Sequence, residues 1–165
     1  MFFHPGLALV LLLLWQPSAR PSKCEPLKES FCQKRGYNIN STIVPNFFGH
    51  RSQKLAMDEL KQLAPLINVK CSEDMVLFLC SIFFPVCTIL NKIIPPCRPL
   101  CLSAKSGCED IMNKFGYSWP SKLDCQHFPK QQVQGTMICI FQNKTTNLSP
   151  TVPPQGKTTS KLLIL

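Results

Sequence analysis

The chain has 165 residues and ten cysteines, which is enough for one disulfide-stapled domain with tails. Such a framework persists only in an oxidising compartment, so a cytosolic protein is excluded, and the cysteine spacing does not suit a zinc site. The net charge of +9 comes from basic residues scattered along the sequence. It favours acidic glycans such as heparan sulfate or anionic membranes as partners, or a merely solvated basic surface, whereas a secreted chain is not expected to meet nucleic acid.

The N-terminus carries an almost wholly apolar segment, from Phe2 to Trp15, which is followed by the small residues Ser18 and Ala19. This segment has the length of a signal-peptide core and is too short to span a bilayer. We therefore predict a signal peptide over 1–19 and a secreted, extracellular product, with an uncleaved membrane anchor as the alternative. For a truncated receptor, the location would be that of a cell-surface ectodomain.

Residues 23–141 hold all ten cysteines and are predicted to form the folded domain. The part between Tyr37 and Phe48 is expected to be extended or irregular, because Pro45 excludes a helix through its centre. Asn40 begins an Asn-x-Ser/Thr glycosylation acceptor, which predicts an exposed loop.

The first helix is predicted over His50–Ile67. Pro65 is expected to end or kink it. Four apolar residues recur there at helical spacing and define one face, namely Ala56, Leu60, Leu63 and Ile67.

Two further helices are predicted between the central cysteines. The segment Met75–Phe84 is apolar nearly all round, which indicates a buried helix, and Ser72 is placed as its N-cap. The third helix is predicted to begin near Pro99, a residue favoured in a first turn, and to stop at Gly116.

Residues 142–165 differ in composition from the domain, being rich in Thr, Pro, Ser and Asn without an apolar period. They are predicted to be a disordered linker or a truncated C-terminal tail. Asn143 begins a second glycosylation acceptor. The four apolar residues that end the chain are too few to cross a membrane.

The sequence lacks the usual catalytic motifs, although His127 follows closely after Asp124. The best enzyme alternative is a secreted phospholipase, but adjacent cysteines before a His-Asp pair and a glycine-rich calcium loop are both missing. We therefore predict no catalytic residue, no metal and no cofactor. Small disulfide-stapled secreted domains are mostly binding modules, because their rigid frame positions a surface at low entropic cost.

Several motifs together resemble the cysteine-rich domain of one receptor family. The motifs are YN before VPNFFGH, then FLCS, FPVCT, IPPCRPLC, GCE, MNKFGYSWP and CQHFP, with all ten cysteines in register. On these residues the chain resembles the frizzled-type, Wnt-binding cysteine-rich domain. The later motifs favour the frizzled receptors over the secreted frizzled-related proteins. The resemblance implies a mainly α fold, a small disulfide-rich helical bundle with a minor two-stranded β piece.

The resemblance also implies a disulfide pattern, which the spacing of ten cysteines leaves open. The implied pairs are Cys24–Cys87, Cys32–Cys80, Cys71–Cys108, Cys97–Cys139 and Cys101–Cys125.

The partner implied by the resemblance is a lipidated Wnt glycoprotein, whose fatty acyl chain lies in an apolar groove. The chain would act in Wnt signalling as a receptor ectodomain fragment or a soluble decoy, and a homodimer around a shared acyl chain is an alternative arrangement. A secreted lipid- or sterol-binding module is the rival function. By motif position the groove residues are Gln62, Leu63, Pro65, Leu66, Val69, Ile82, Phe83, Phe115 and Tyr117. A second, protein-only Wnt contact is placed at Ile89, Ile94, Pro95, Pro96, Ile140 and Phe141.

Overall fold

The computed structural model describes residues 22–130 and 138–142, together with the backbone of Leu163 and Ile164. The predicted signal peptide, the acceptor at Asn143 and most of the predicted tail lie outside the described residues. Asn40 is exposed, as a glycosylation acceptor needs to be, and its modification stays a prediction.

A two-stranded antiparallel sheet opens the domain. Strand β1 (Lys23–Pro26) pairs with β2 (Ser41–Val44), and a four-residue helix α1 (Ser30–Gln33) lies between them. Strand β2 consists mostly of β-branched residues, which pack well on a pleated surface. It is anchored to the rest of the domain where Thr42 Oγ1 and the Ile43 N–H both donate to the carbonyl of Pro85.

Helix α2 (Gln53–Asn68) begins at Ser52, whose side chain accepts a hydrogen bond from the Leu55 N–H. It continues past Pro65 to Asn68, so this proline does not end the helix, and a kink at Pro65 stays a prediction. A proline so close to the C-terminus removes only its own N–H bond. The last turn is kept by the N–H of Val69, which donates to the Pro65 carbonyl.

Helix α3 (Met75–Phe83) is the centre of the core, as its apolar sequence predicts. Each buried apolar side chain of this kind stabilises the fold by about 1.5–3 kcal/mol. The helix packs between α2 and a third long helix, α4 (Arg98–Lys114). Its fully buried large apolar side chains are Met75, Phe78, Leu79, Ile82 and Phe83.

Helix α4 carries Pro99 in its first turn, where a missing N–H costs nothing, and it ends before Gly116. Gly116 has a φ of 77°, the left-handed conformation that suits glycine at a helix end. Two short 3₁₀ turns follow, at Ser121–Leu123 and Cys125–His127.

A short strand β3 (Ile140–Phe141) pairs antiparallel with β4 (Leu163–Ile164), and on its other side Pro96 bridges Ile140. The predicted helical fold with a minor β piece is therefore confirmed, with this second short pair as an addition. No helix of the described residues is both long enough and apolar enough to cross a membrane.

Five disulfide bonds staple these elements, with Cα–Cα distances from 4.9 to 5.9 Å. They are the same five pairs that the family resemblance implies. In a chain-entropy account, each closed loop contributes about 2–4 kcal/mol to the free energy of unfolding. The bonds are Cys24–Cys87, Cys32–Cys80, Cys71–Cys108, Cys97–Cys139 and Cys101–Cys125.

Candidate ligand-binding surface

Apolar side chains are exposed where α2 ends and where the chain leaves α4. Val69 is 54% exposed, and Phe115 and Tyr117 are 74% and 69% exposed. Solvent exposure of large apolar groups in a stapled domain marks a surface that another apolar molecule can cover. These three residues belong to the predicted acyl-chain groove.

The segment that follows α2 is held against the middle of α4. The Cys71–Cys108 bond joins the segment after α2 to α4. At Gly107 the helix backbone passes so near that an added Cβ would lie 2.6 Å from the Cys71 carbonyl oxygen. One wall of the candidate groove, the end of α2, therefore starts at this junction, and the other, the chain from Phe115 onward, begins about 10 Å further along α4.

The remaining predicted groove residues differ in burial. Leu63 and Leu66 are half-buried and pack against the core, whereas Gln62 and Pro65 are exposed. The α3 pair, Ile82 and Phe83, is almost completely buried in the free domain, as expected for the apolar helix to which both residues belong.

Trp119 holds the segment after α4 against the core, and the sequence-based list of groove residues did not include it. Its ring stacks on Phe78 with centroids 6.2 Å apart, and its indole N–H donates to the Leu123 carbonyl at 2.8 Å. A tryptophan between Ser118 and Pro120, in a segment without helical period, is the only sequence sign of this anchor.

A polar network on the neighbouring face was also missed by sequence reasoning. The Glu59 carboxylate, on α2, accepts from Lys122 and lies 2.8 Å from His50 Nε2, and His50 Nδ1 lies 3.2 Å from Asn46 Oδ1. Burial alone would raise the pKa of the Glu59 carboxyl. Hydrogen bonds and charges from Lys122, and then from His50, outweigh burial and leave that pKa below its ordinary value.

This network fixes the loop before α2 to the 3₁₀ turn that follows Trp119. Phe48, in the same loop, packs edge-to-face on Phe83 and lies beneath the Lys122 ammonium group. Among the described residues, His50 is hydrogen-bonded to Asn46 and Glu59, and these bonds hold the chain segments together. In the described part of the chain, no group of three or more His, Cys, Asp or Glu residues could hold a metal ion.

As in the candidate groove, some residues of the predicted second Wnt contact are exposed and others are buried. Ile89 is 99% exposed, and Pro95 and Phe141 are half-buried. Ile94, Pro96 and Ile140 are buried around the Cys97–Cys139 bond, where the Cys97 N–H donates to the Ile140 carbonyl.

The fold and its ten cysteines define a cysteine-rich ligand-binding module, and the family follows from a direct match. The model of the Fz domain family matches residues 24–132, which is more than half of the chain. The protein belongs to the Fz domain family, which confirms the resemblance drawn from the motifs. As a member of that family it has the extracellular location that the cysteines predict.

Curated relatives agree with this assignment. Protein mom-5 of Caenorhabditis elegans is 49% identical over 123 residues, which cover 74% of this chain and 20% of that protein. Frizzled-1 of Xenopus laevis is 45% identical over 129 residues, covering 78% and 22%. Frizzled of Drosophila melanogaster is 44% identical over 133 residues, covering 81% and 22%. The chain thus spans about a fifth of the length of these relatives.

Solved structures share the fold. The selenomethionine-labelled Smoothened cysteine-rich domain has a TM-score of 0.51 at 24% identity, covering 68% of this chain and all of that one. The Xenopus Smoothened cysteine-rich domain in complex with cyclopamine has a TM-score of 0.52 at 25% identity, covering 67% of this chain and all of that one.

Proposed function

We propose that this chain is a non-enzymatic, extracellular Wnt-binding domain that captures the Wnt acyl chain on the surface formed by the ends of α2 and α4. The observation that carries the proposal is the exposure of Val69, Phe115 and Tyr117 in a chain 44–49% identical to frizzled proteins. It would act as the ectodomain of a receptor or as a soluble decoy, and sequencing the transcript beyond Leu165 distinguishes the two.

The acyl chain would be held by apolar burial alone. Each buried methylene contributes about 0.8 kcal/mol, so a dozen would contribute on the order of 10 kcal/mol before ordering costs. The exposed side chains supply the walls, and the half-buried Leu63 and Leu66 supply the base. Ile82 and Phe83 would lie beneath this base and support it, or would become accessible only if the groove widens around the ligand.

A second, protein-only Wnt contact would use Ile89, Pro95 and Phe141, the three predicted residues that the free domain leaves accessible. Ile94, Pro96 and Ile140 would position them from below.

Two charge substitutions, one near the C-terminus of α2 and one at the residue that follows the helix, test the groove. Leu63→Glu and Val69→Glu each place a carboxylate where the acyl chain would lie, and burying an unpaired charge is prohibitive. We expect both variants to lose binding of a lipidated Wnt, and of free palmitoleate, in a biosensor assay. Leu55→Glu is the matched control, because Leu55 is 53% exposed at the other end of the same helix.

Melting curves separate loss of binding from loss of fold. Leu63 packs against the core, so we expect Leu63→Glu to lower the melting temperature somewhat. Val69 is exposed, so Val69→Glu should melt like the parent. If both variants bind palmitoleate as well as the parent does, the acyl chain does not lie on this surface.

A sterol is the second candidate ligand. The observation that favours it is the shared fold of the Xenopus Smoothened domain in complex with cyclopamine. A competition assay decides between an acyl chain and a sterol as the ligand. If the ligand is a sterol, cyclopamine or cholesterol should displace palmitoleate from the parent domain. A homodimer around one shared acyl chain would appear as a doubling of mass on addition of palmitoleate.

A further inference from the structure

Two open cavities adjoin each other on the face of the domain formed by α1 and α2. One has a volume of about 360 Å³ and the other of about 640 Å³, and both are lined by Lys34 and Arg35. We call the two together the basic trough. Its five cationic lining residues are Lys34, Arg35, Lys54, Lys61 and Lys70.

The trough follows the axis of α2. Lys54, Lys61 and Asn68 line it at successive seven-residue steps, and such a step returns to nearly the same face of a helix. At 1.5 Å per residue, the row from Lys54 to Asn68 is about 21 Å long. Lys70 lies just beyond the end of the helix. Three of the five positive groups, those of Lys54, Lys61 and Lys70, are therefore spread along the helix axis.

Arg35 is held in place at the junction of the two cavities. Its guanidinium group lies 3.8 Å from the centroid of the Phe31 ring. Two of its nitrogens donate at 3.1 Å, one to the Phe31 carbonyl and one to Asn68 Oδ1. A guanidinium fixed by neutral partners keeps its full positive charge for an incoming anion and loses little entropy on binding it.

Three carboxylates also line the trough, those of Glu29, Asp58 and Glu73. Asp58 pairs with Lys61 at 3.4 Å, but both side chains are more than half exposed, so the pair is weak enough to open. Within the described part of the chain, no ion pair engages Lys34, Lys54 or Lys70. Five cations against three carboxylates leave the trough positive.

We propose that the basic trough binds a sulfated glycosaminoglycan chain. A linear row of cations in a concave, extracellular surface fits a linear polyanion, whose counterions are released on binding. A membrane is a poorer fit, because its flat anionic surface cannot enter two cavities. Along most of α2 the trough is separate from the proposed Wnt surface, since Leu63 and Leu66 lie about 160° and 140° from Lys61 around the helix at 100° per residue. The two surfaces approach each other where the helix ends, at Val69 and Lys70.

Two triple substitutions of equal charge test the proposal on the purified whole chain. Lys34→Gln, Lys54→Gln and Lys70→Gln remove three trough cations. The control removes three exposed lysines from elsewhere in the domain, those at Lys92, Lys114 and Lys130, also by glutamine. Binding to immobilised heparin is measured over a range of salt concentrations.

We expect the trough variant to bind heparin at least about tenfold more weakly, as three exposed charge contacts imply, and to show a shallower dependence on salt. The control should change by less than about twofold. Palmitoleate binding should be unchanged in both variants, which shows that they are folded and that the two sites are independent.

Equal weakening by both triples would overturn the proposal, because binding would then follow net charge alone. So would a parent chain that fails to bind heparin at physiological ionic strength. As a last measurement, binding of both variants to vesicles of phosphatidylcholine and phosphatidylserine is compared with binding of the parent. If the trough variant loses vesicle binding and keeps heparin binding, the partner is a membrane and the proposal is wrong.

Discussion

Gly107 sits inside α4, yet replacing it by alanine is expected to destabilise the domain. Its ideal Cβ would lie 2.6 Å from the Cys71 carbonyl oxygen and 2.8 Å from Ser72 Cβ. Real Cβ contacts are essentially never that short, so one of the two segments has to move. Movement is resisted because Cys71 is bonded to Cys108, the residue next to Gly107.

The magnitude follows from two opposing effects. In an ordinary helix interior, alanine is favoured over glycine by about 1 kcal/mol. Overpacking a tight site costs about 1–3 kcal/mol, and here the clashing atom belongs to the backbone and cannot rotate away. We therefore expect Gly107→Ala to lower the free energy of unfolding by about 1–2 kcal/mol, which corresponds to a melting temperature lower by several degrees.

Urea denaturation with the disulfide bonds intact measures this change. Ser106→Ala is the matched control, because Ser106 is the exposed neighbour in the same helix and its variant should be as stable as the parent. Since the junction also positions Val69 and Phe115, Gly107→Ala should weaken palmitoleate binding as well. A variant that is equally or more stable than the parent would show that α4 does not approach Cys71 this closely.

Two further predictions concern the anchors of the candidate groove. Because the pKa of Glu59 is lowered in the folded state, Glu59→Gln should cost about 1 kcal/mol near neutral pH. The difference in free energy of unfolding between the variant and the parent should vanish as the pH falls through the lowered pKa of Glu59. A difference in urea midpoint that is the same at every pH would contradict this prediction. Trp119→Ala should cost about 2–3 kcal/mol in thermal unfolding, since the stacking on Phe78 is lost. Tyr117→Ala, at a 69% exposed residue, should keep the stability and lose palmitoleate binding, and equal melting of the two variants would refute the distinction.

The helices could be predicted because their evidence is local. Helical spacing of apolar residues and the glycine at Gly116 placed α2, α3 and α4 within a few residues of their observed bounds. Pro65 left two outcomes open, an end or a kink, and the helix does not end there, since a proline in the last turn removes one hydrogen bond without preventing the turns around it.

The contacts that shape the surface could not be predicted, because they join residues far apart in the chain. Glu59 and Lys122 are separated by 63 positions, and nothing in either neighbourhood suggests the other. The same holds for burial. Ile82 and Phe115 are both apolar and both match the family motif, but one is fully buried and the other is 74% exposed. Only the packing of α3 between α2 and α4 separates them.

Helix α2 would make the two proposed binding surfaces compatible within one small domain. Its buried residues, among them Ala56, Leu60 and Ile67, attach the helix to the core along one side. That leaves two flanks beside the buried side, with Lys61 on one and Leu66 on the other. A polyanion needs exposed cations and an acyl chain needs dry apolar surface, so neither ligand can use the other's flank. The division follows from helical geometry, and under both proposals a glycan would hold the domain at the cell surface while the apolar flank stays open.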